Sequence, residues 1–197
     1  MDVREEILKA AARLYCEAGF RGATTRRIAA DAGVNEVTVF RHFGSKEALL
    51  REAIGRQWGG GGCSPIALES RGNPLEELRE WARLITGGLR TMAPLIRTRL
   101  GEFEEHPEIV PPRGSPPAQA AEMLARYLEQ LREAGLASAD FDARTAAAML
   151  MAVLFADGIV REGLPDMFHE NIDASIDGYV RIFLRGLGVS APAGVAS

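Results

Sequence analysis

Side chains able to do chemistry are unevenly spread along the 197 residues. The three histidines are His42, His106 and His169, and none stands in a motif that pairs a base with a nucleophile or a second acid, so an enzyme is not expected. Glu102 and His106 lie one helical turn apart in the run Glu102-Phe103-Glu104-Glu105-His106. Two donors are too few for a metal site, and a solvated acidic helix end accounts for the run. The four glycines at 59–62 are followed by no Gly-Lys-Ser/Thr and preceded by no strand, which excludes a phosphate loop. What remains is the stretch Thr24 to Leu49, in which Thr38, Arg41 and His42 are side chains that could meet a phosphate or a base edge.

For these residues to act together, short helices must hold them. Thr24-Thr25 opens a helix that ends before Gly33, and Asn35 caps a second that closes near Phe43-Gly44. Ile28 and Ala29 are expected on the inner face of the first helix, and Val37 and Phe40 on that of the second, with Gly33 permitting the sharp turn between them. This is the spacing of a helix-turn-helix, which offers its second helix to a major groove. Thr38, Arg41 and His42 then face outward, although two packed helices with a solvated charged face would carry the same pattern. A preceding helix over residues 3–18 places Val3, Ile7, Ala11, Leu14, Tyr15 and Ala18 on one side and is stopped by Gly19. A following one begins after Ser45 and fades at Trp58-Gly59.

The rest of the chain is also helical in its periodicity, and runs of β-branched residues are absent, so the fold class is all-α. One helix is expected from Pro74 to Pro94 and a shorter one from Leu95 to Glu105. Pro107 to Pro117, with five prolines, reads as a loop or lid. Helices follow over 118–134, 142–162 and 172–187. The Gly/Pro-rich stretch 59–74 is placed as a linker between an N-terminal domain, 1–58, and a C-terminal helical domain, 75–189, with a disordered tail over 190–197. Formal charge divides along that line. Residues 1–56 hold 10 Lys/Arg against 8 Asp/Glu, and residues 57–197 hold 13 against 19, so only the N-terminal part favours phosphate.

Cys16 and Cys63 are unpatterned and read as reduced thiols of a cytoplasmic protein. The charged start is unlike a secretory leader, and the apolar run Thr145–Ala156 is short of the ~20 residues that span a bilayer, so no membrane partner is expected.

The order Gly19-Phe20, Thr24-Thr25, Ile28-Ala29, Ala32-Gly33-Val34, Thr38, Phe40, His42-Phe43 and Ser45-Lys46-Glu47-Ala48-Leu49 resembles the tetracycline-repressor (TetR) family of transcriptional regulators. The resemblance covers about 45 residues. Beyond them only the number and order of helices agree. It implies an N-terminal three-helix DNA-binding domain with a helix-turn-helix, followed by a C-terminal helical domain for ligand binding and dimerisation. Thr25 and Arg26 would stand where the first motif helix meets the duplex, Thr38 and Arg41 on the exposed side of the recognition helix, and His42 and Lys46 on the phosphate backbone. Two residues depart from the family pattern. Phe40 replaces the usual tyrosine and keeps only a packing role, while Glu36 either accepts a hydrogen bond from a cytosine amino group or is repelled by phosphate.

The partners implied are a pseudo-palindromic double-stranded DNA operator, a second copy of the chain and a small-molecule effector; no cofactor is implied. Ala148, Ala152, Ile159, Ile176, Tyr179, Val180, Phe183 and Leu187 are the expected dimer residues, although a wholly intramolecular core would explain the same stripe. Trp81, Ile85, Met92, Phe103, Met123, Tyr127 and Met149 are the candidate ligand contacts, and plain core is the alternative for each. An apolar or aromatic ligand that releases a repressor from its operator is the expectation. An activator or a ligand-independent regulator of the same fold fits the sequence as well.

Overall fold

Helix caps and glycines mark out most elements before any packing is considered. The computed structural model describes residues 2–60, 67–109 and 116–189, with residues 58–60 described by their backbone. The described residues form eight α-helices: α1 (Val3–Gly22), α2 (Thr25–Asp31), α3 (Glu36–Phe43), α4 (Lys46–Gly60), α5 (Pro74–Gly101), α6 (Pro116–Glu133), α7 (Ala143–Val160) and α8 (Ile172–Gly186). Single turns of 3-10 helix lie at Pro107–Ile109 and Pro165–Met167, and no strand occurs among the described residues. Residues 61–66, with the last two glycines of the run and Cys63, the proline segment at 110–115 and the tail at 190–197 lie outside the described residues.

The chain divides into two compact units, residues 1–61 with 92–115 and residues 62–91 with 116–197. In the first, each short helix starts on a side-chain cap. Asp2 accepts from Arg4 N at 3.0 Å, Thr24 from Arg27 N at 3.3 Å, Asn35 from Val37 N at 2.9 Å and Ser45 from Ala48 N at 3.1 Å. Each such cap is worth about 1 kcal/mol. The turn between α2 and α3 is closed by Val34 N donating to Ala29 O at 2.9 Å, with Gly33 at φ 67°, a conformation that favours glycine. The core gathers Ile7, Leu14 and Tyr15 of α1, Ile28 and Ala29 of α2, and Leu49, Leu50 and Ile54 of α4.

The inner face of α3 differs from the sequence expectation. Val39 and Phe43 are buried, whereas Val37 is 72% exposed and Phe40 47% exposed. All four apolar residues of this helix satisfied a helical spacing, so periodicity alone did not choose between the two faces. Burial goes to the i, i+4 pair, which turns Val37 and Phe40 outward. Phe40 therefore has no core packing role.

Pro94 also behaves differently, lying inside α5 rather than ending it. It is exposed, and Met92, Ala93, Leu95 and Ile96 on both sides of it are buried, so flanking burial offsets the lost backbone hydrogen bond. The expected separate helix from Leu95 to Glu105 is thus the end of α5, which stops at Gly101.

In the second unit α6 packs along α7, and α7 along α8. Leu124, Leu128, Leu131, Leu150, Leu154 and Val180 are buried there. α7 is long and apolar enough to pass for a membrane span, with a mean hydropathy of 1.6, but half of it is buried within the protein. Two carboxylates are buried in this unit, and both are fully engaged. Glu77 accepts from Arg71 N at 2.8 Å, Asn73 N at 2.7 Å and the Tyr127 hydroxyl at 2.6 Å. Asp157, with no exposed surface, accepts from Arg161 Nε at 2.5 Å and Nη2 at 2.8 Å, and from the Tyr179 hydroxyl at 2.9 Å. Burial without these partners would cost several kcal/mol per group.

The assignment of faces in α3 has a direct consequence for stability. Val39→Ala should lower the unfolding free energy by about 2 kcal/mol, as the loss of buried methyl groups demands. Val37→Ala should change it by less than about 0.5 kcal/mol. Urea denaturation followed by circular dichroism checks both.

Candidate nucleic-acid interface

The caps of α2, α3 and α4 bring the polar residues between Thr24 and Leu49 into one neighbourhood. Arg26, Arg41 and His42 are exposed, and Thr25, Glu36, Thr38 and Lys46 are half-buried. Around α3, at about 100° per residue, Arg41 lies opposite the buried Val39–Phe43 edge, with Val37 beside it and Thr38 on its other flank.

Pairing of charges separates this surface from the rest of the first unit. Arg4 is paired with Glu52, Arg13 with Glu17 and Asp31, Arg21 with Glu105, and Arg56 with Glu5. Arg26 and Arg41 have no such partner among the described residues. Two exposed guanidinium groups on adjoining helices are thus left with all their donors available, the arrangement that suits phosphate or a guanine edge.

Glu36 and Thr25, both expected at the duplex, engage each other. The Thr25 hydroxyl donates to Glu36 Oε1 at 2.5 Å. This ties the first turn of α2 to the first turn of α3 and keeps the Glu36 carboxylate on a protein donor. Thr25 can still accept, but its proton is spoken for.

Lys46 opens α4, where the first-turn amides have no intrahelical partner. Its ammonium lies 4.0 Å from the centroid of the Phe20 ring. Burial against that ring pulls the Lys46 pKa below its ordinary value, with Glu47 and Glu102 opposing the shift. Phe20 is itself held from both ends. Its amide donates to Glu102 Oε1 at 2.7 Å, and its ring stacks on His106 with centroids 3.7 Å apart. His106 in turn meets Glu108 at 3.1 Å. Phe20, Arg21, Lys46, Glu105 and His106 line an open concavity of 610 Å³. Glu102 and His106 are thus used inside the first unit as supports for Phe20. Sequence reasoning missed Phe20 as the seat of Lys46, and spacing holds no signal for it because the two residues lie far apart in the chain.

This support depends on Gly19, whose φ of 66° and ψ of −173° break α1 three residues before its end. A Cβ there would lie 2.3 Å from Glu102 Oε1.

The remaining candidate residues fall in different places. Of the ligand candidates, Trp81, Ile85, Met92 and Tyr127 are buried and Met123 is half-buried, while Phe103 is 55% exposed and Met149 62% exposed. Met92 and Phe103 belong to the first unit and the others to the second. Tyr127 is held by Glu77, and burial pushes its phenol pKa well above the usual value. Of the dimer candidates, Ala148 and Ala152 are exposed, Tyr179 is half-buried, and Ile159, Ile176, Val180, Phe183 and Leu187 are buried within the single chain. The exposed apolar surface of α7 and α8 instead includes Met149 and Ile182, the latter 73% exposed. With Leu150, Val153, Tyr179 and Phe183 they enclose an apolar depression of 160 Å³. Sequence spacing pointed to the same two helices but not to Ile182, whose stripe neighbours are the ones that turn inward.

A capped helix-turn-helix with unpaired cations on its outer side, joined to a helical domain, defines the class: a DNA-binding transcriptional regulator. Residues 7–53 match the model of bacterial regulatory proteins of the tetR family. The HTH-type transcriptional regulator YvkB of Bacillus subtilis is 25% identical over 162 residues, covering 82% of this chain and 84% of that one. The HTH-type transcriptional repressor AcnR of Corynebacterium efficiens is 44% identical over 57 residues, 27% of this chain and 30% of its own. Among solved structures, the flavonoid-responsive regulator FrrA shares the fold with a TM-score of 0.71 and 24% identity, over 98% of both chains. The match over residues 7–53 runs from within α1 to within α4 and identifies this helix-turn-helix segment as that of the tetR family of bacterial regulatory proteins.

The Gly19 geometry makes one expectation exact enough to test. Gly19→Ala should destabilise the protein by about 2 kcal/mol, because this backbone region is essentially reserved for glycine and the methyl group displaces Glu102. Thermal unfolding followed at 222 nm would show the loss, and an unchanged melting temperature would count against the Gly19–Glu102 contact.

Proposed function

We propose that this protein is a homodimeric, cytoplasmic repressor that binds a pseudo-palindromic operator and releases it when an apolar or aromatic small molecule occupies its C-terminal helical domain. The observation that carries this reading is the outward face of α2 and α3, where Arg26 and Arg41 stand exposed and unpaired while the other arginines of α1 and α4 engage protein partners. Arg41 is taken to read a base, with Thr38 beside it. His42 and Lys46 hold the backbone through their side chains and Thr25 through its main-chain amide, its hydroxyl proton being held by Glu36. Lys46 leaves the Phe20 ring to do so, at a cost of about 0.5–1 kcal/mol that a phosphate contact offsets.

A recognition helix of eight residues covers one half-site, so affinity and symmetry both call for a second copy. Exposed Ala148, Met149, Ala152 and Ile182 on α7 and α8 support that surface as the seat of the partner chain. Repression is favoured by the likeness to AcnR, named as a repressor. A ligand of apolar or aromatic character is favoured by the buried Trp81, Ile85 and Tyr127 and by the fold shared with a flavonoid-responsive regulator. Release then follows from a ligand that prefers the conformation poorer at binding DNA.

Fluorescence anisotropy against the DNA upstream of the protein's own gene, with scrambled competitor and two salt concentrations, tests the reading. Saturable binding at two protomers or a multiple per site is expected. Lys46→Ala should weaken binding to all DNA and lower the salt slope by about one unit, and Arg41→Ala should relax preference at one position at a cost of ~1–3 kcal/mol. Equal losses on specific and random DNA for both variants would remove Arg41 from base reading. A panel of aromatic and apolar compounds should contain members that raise the melting temperature and lower operator affinity; a panel with no effect on either would overturn the effector part.

A further inference from the structure

We infer that Val37 and Phe40 form an apolar reading edge on α3 that selects thymine methyl groups in the operator half-site. The inference rests on the reading of α3 as the helix that enters the major groove. Val37 is 72% exposed and Phe40 47% exposed, on a helix that buries Val39 and Phe43 instead. At about 100° per residue the two project side by side, with Val37 between Phe40 and Arg41. Three residues of helix advance about 4.5 Å along the axis, close to the ~3.4 Å spacing of bases along a strand, so the pair can meet neighbouring steps of the duplex.

Charge complementarity decides the occupant. Arg41 on α3 and Arg26 on α2 are exposed and lack acidic partners among the described residues, which favours a polyanion over an apolar protein surface. Within the major groove thymine alone presents a methyl group, and an aliphatic or phenyl side chain is its natural contact. The hydroxyl that a tyrosine would bring is absent at Phe40, which leaves the ring nothing to offer except apolar contact. Glu36, the neighbouring acid, is held by Thr25 and does not compete for the same edge.

The test starts from a preferred duplex selected from a random pool with the full-length protein. Each thymine of the selected half-site is then replaced in turn by uracil, which removes only the C5-methyl group. Anisotropy should show binding three- to fourfold weaker at one or two adjacent positions, the ratio that corresponds to ~0.8 kcal/mol for one buried methyl. Val37→Ser should erase the thymine–uracil difference at one of those positions and Phe40→Ala at the other, with melting temperatures unchanged because both side chains are exposed. Uracil that is neutral at every position overturns the inference and leaves the DNA-binding reading standing. A uracil penalty that persists in both variants also overturns it, since other residues then meet the methyl groups. If no duplex is preferred over random sequence, the reading of α3 itself fails and the inference falls with it. Variants that change the oligomeric state while uracil stays neutral would assign the pair to contact between protein copies and likewise overturn the proposal.

Discussion

The burial of Val39 and Phe43 sets the rotation of α3 about its own axis, and the interface depends on that rotation. A helix of eight residues makes little more than two turns, and its apolar edge is only about 40° wide. Once that edge is anchored on α2 and α4, Arg41 has to point away from the core, with Val37 and Thr38 on either side. Choosing Val37 and Phe40 as the anchor would have turned the helix by roughly 100° and brought Arg41 toward the protein. The caps at Thr24, Asn35 and Ser45 then hold the ends of the three helices in place, so the outward residues are presented on a rigid frame.

Electrostatics on this frame is a matter of pairing more than of total charge. The N-terminal residues carry only a small positive excess, too small to mark a nucleic-acid surface by itself. The distinction comes from where carboxylates sit. Glu5, Glu17, Asp31, Glu52 and Glu105 neutralise arginines elsewhere in the unit, and Glu36 is occupied by Thr25. What is left over is concentrated on the face of α2 and α3. Lys46 is a different case, because its charge rests on the Phe20 ring and Phe20 rests on Glu102 and His106. Glu102 and His106, just beyond α5, thereby support the N-terminal helices within the unit that joins residues 1–61 with 92–115.

The second unit follows a contrasting logic. Its two buried carboxylates are satisfied, by the Glu77–Tyr127 and Asp157–Arg161–Tyr179 contacts, while Arg79 Nε, Trp81 Nε1 and Thr86 Oγ1 are buried without a hydrogen-bond partner. Its apolar groups are partly exposed, on the outer side of α7 and α8. The Tyr179 ring joins the two features, since its hydroxyl is bonded to Asp157 while its ring helps line the apolar depression beside Ile182. On the outer side of α7 and α8 the exposed Met149 and Ile182 form an apolar surface.

Much of this was legible in the residues alone. Helical periodicity announced the all-α class, capping residues and glycines set the ends of α2, α3 and α4, and the run from Gly19 to Leu49 carried the family resemblance. These are local properties: a cap, a turn or a stripe is encoded within a few neighbouring residues, so a linear reading recovers them. The face of α3 that is buried, the passage of α5 through Pro94, the seat of Lys46 on Phe20 and the outward turn of Met149 and Ile182 were not legible. In α3 four apolar residues fitted two faces equally well, and at Pro94 the local cost of proline was opposed by burial on both sides of it. Each was settled by contacts between residues distant in sequence, whose energies exceed the local preference and leave no trace in spacing. The sequence by itself determined the all-α class, the ends of α2 to α4 and the chemistry they carry; tertiary packing decided which way α3, α7 and α8 face and that α5 runs on through Pro94, because rotation about a helix axis costs nothing until a second surface is there to bury one side.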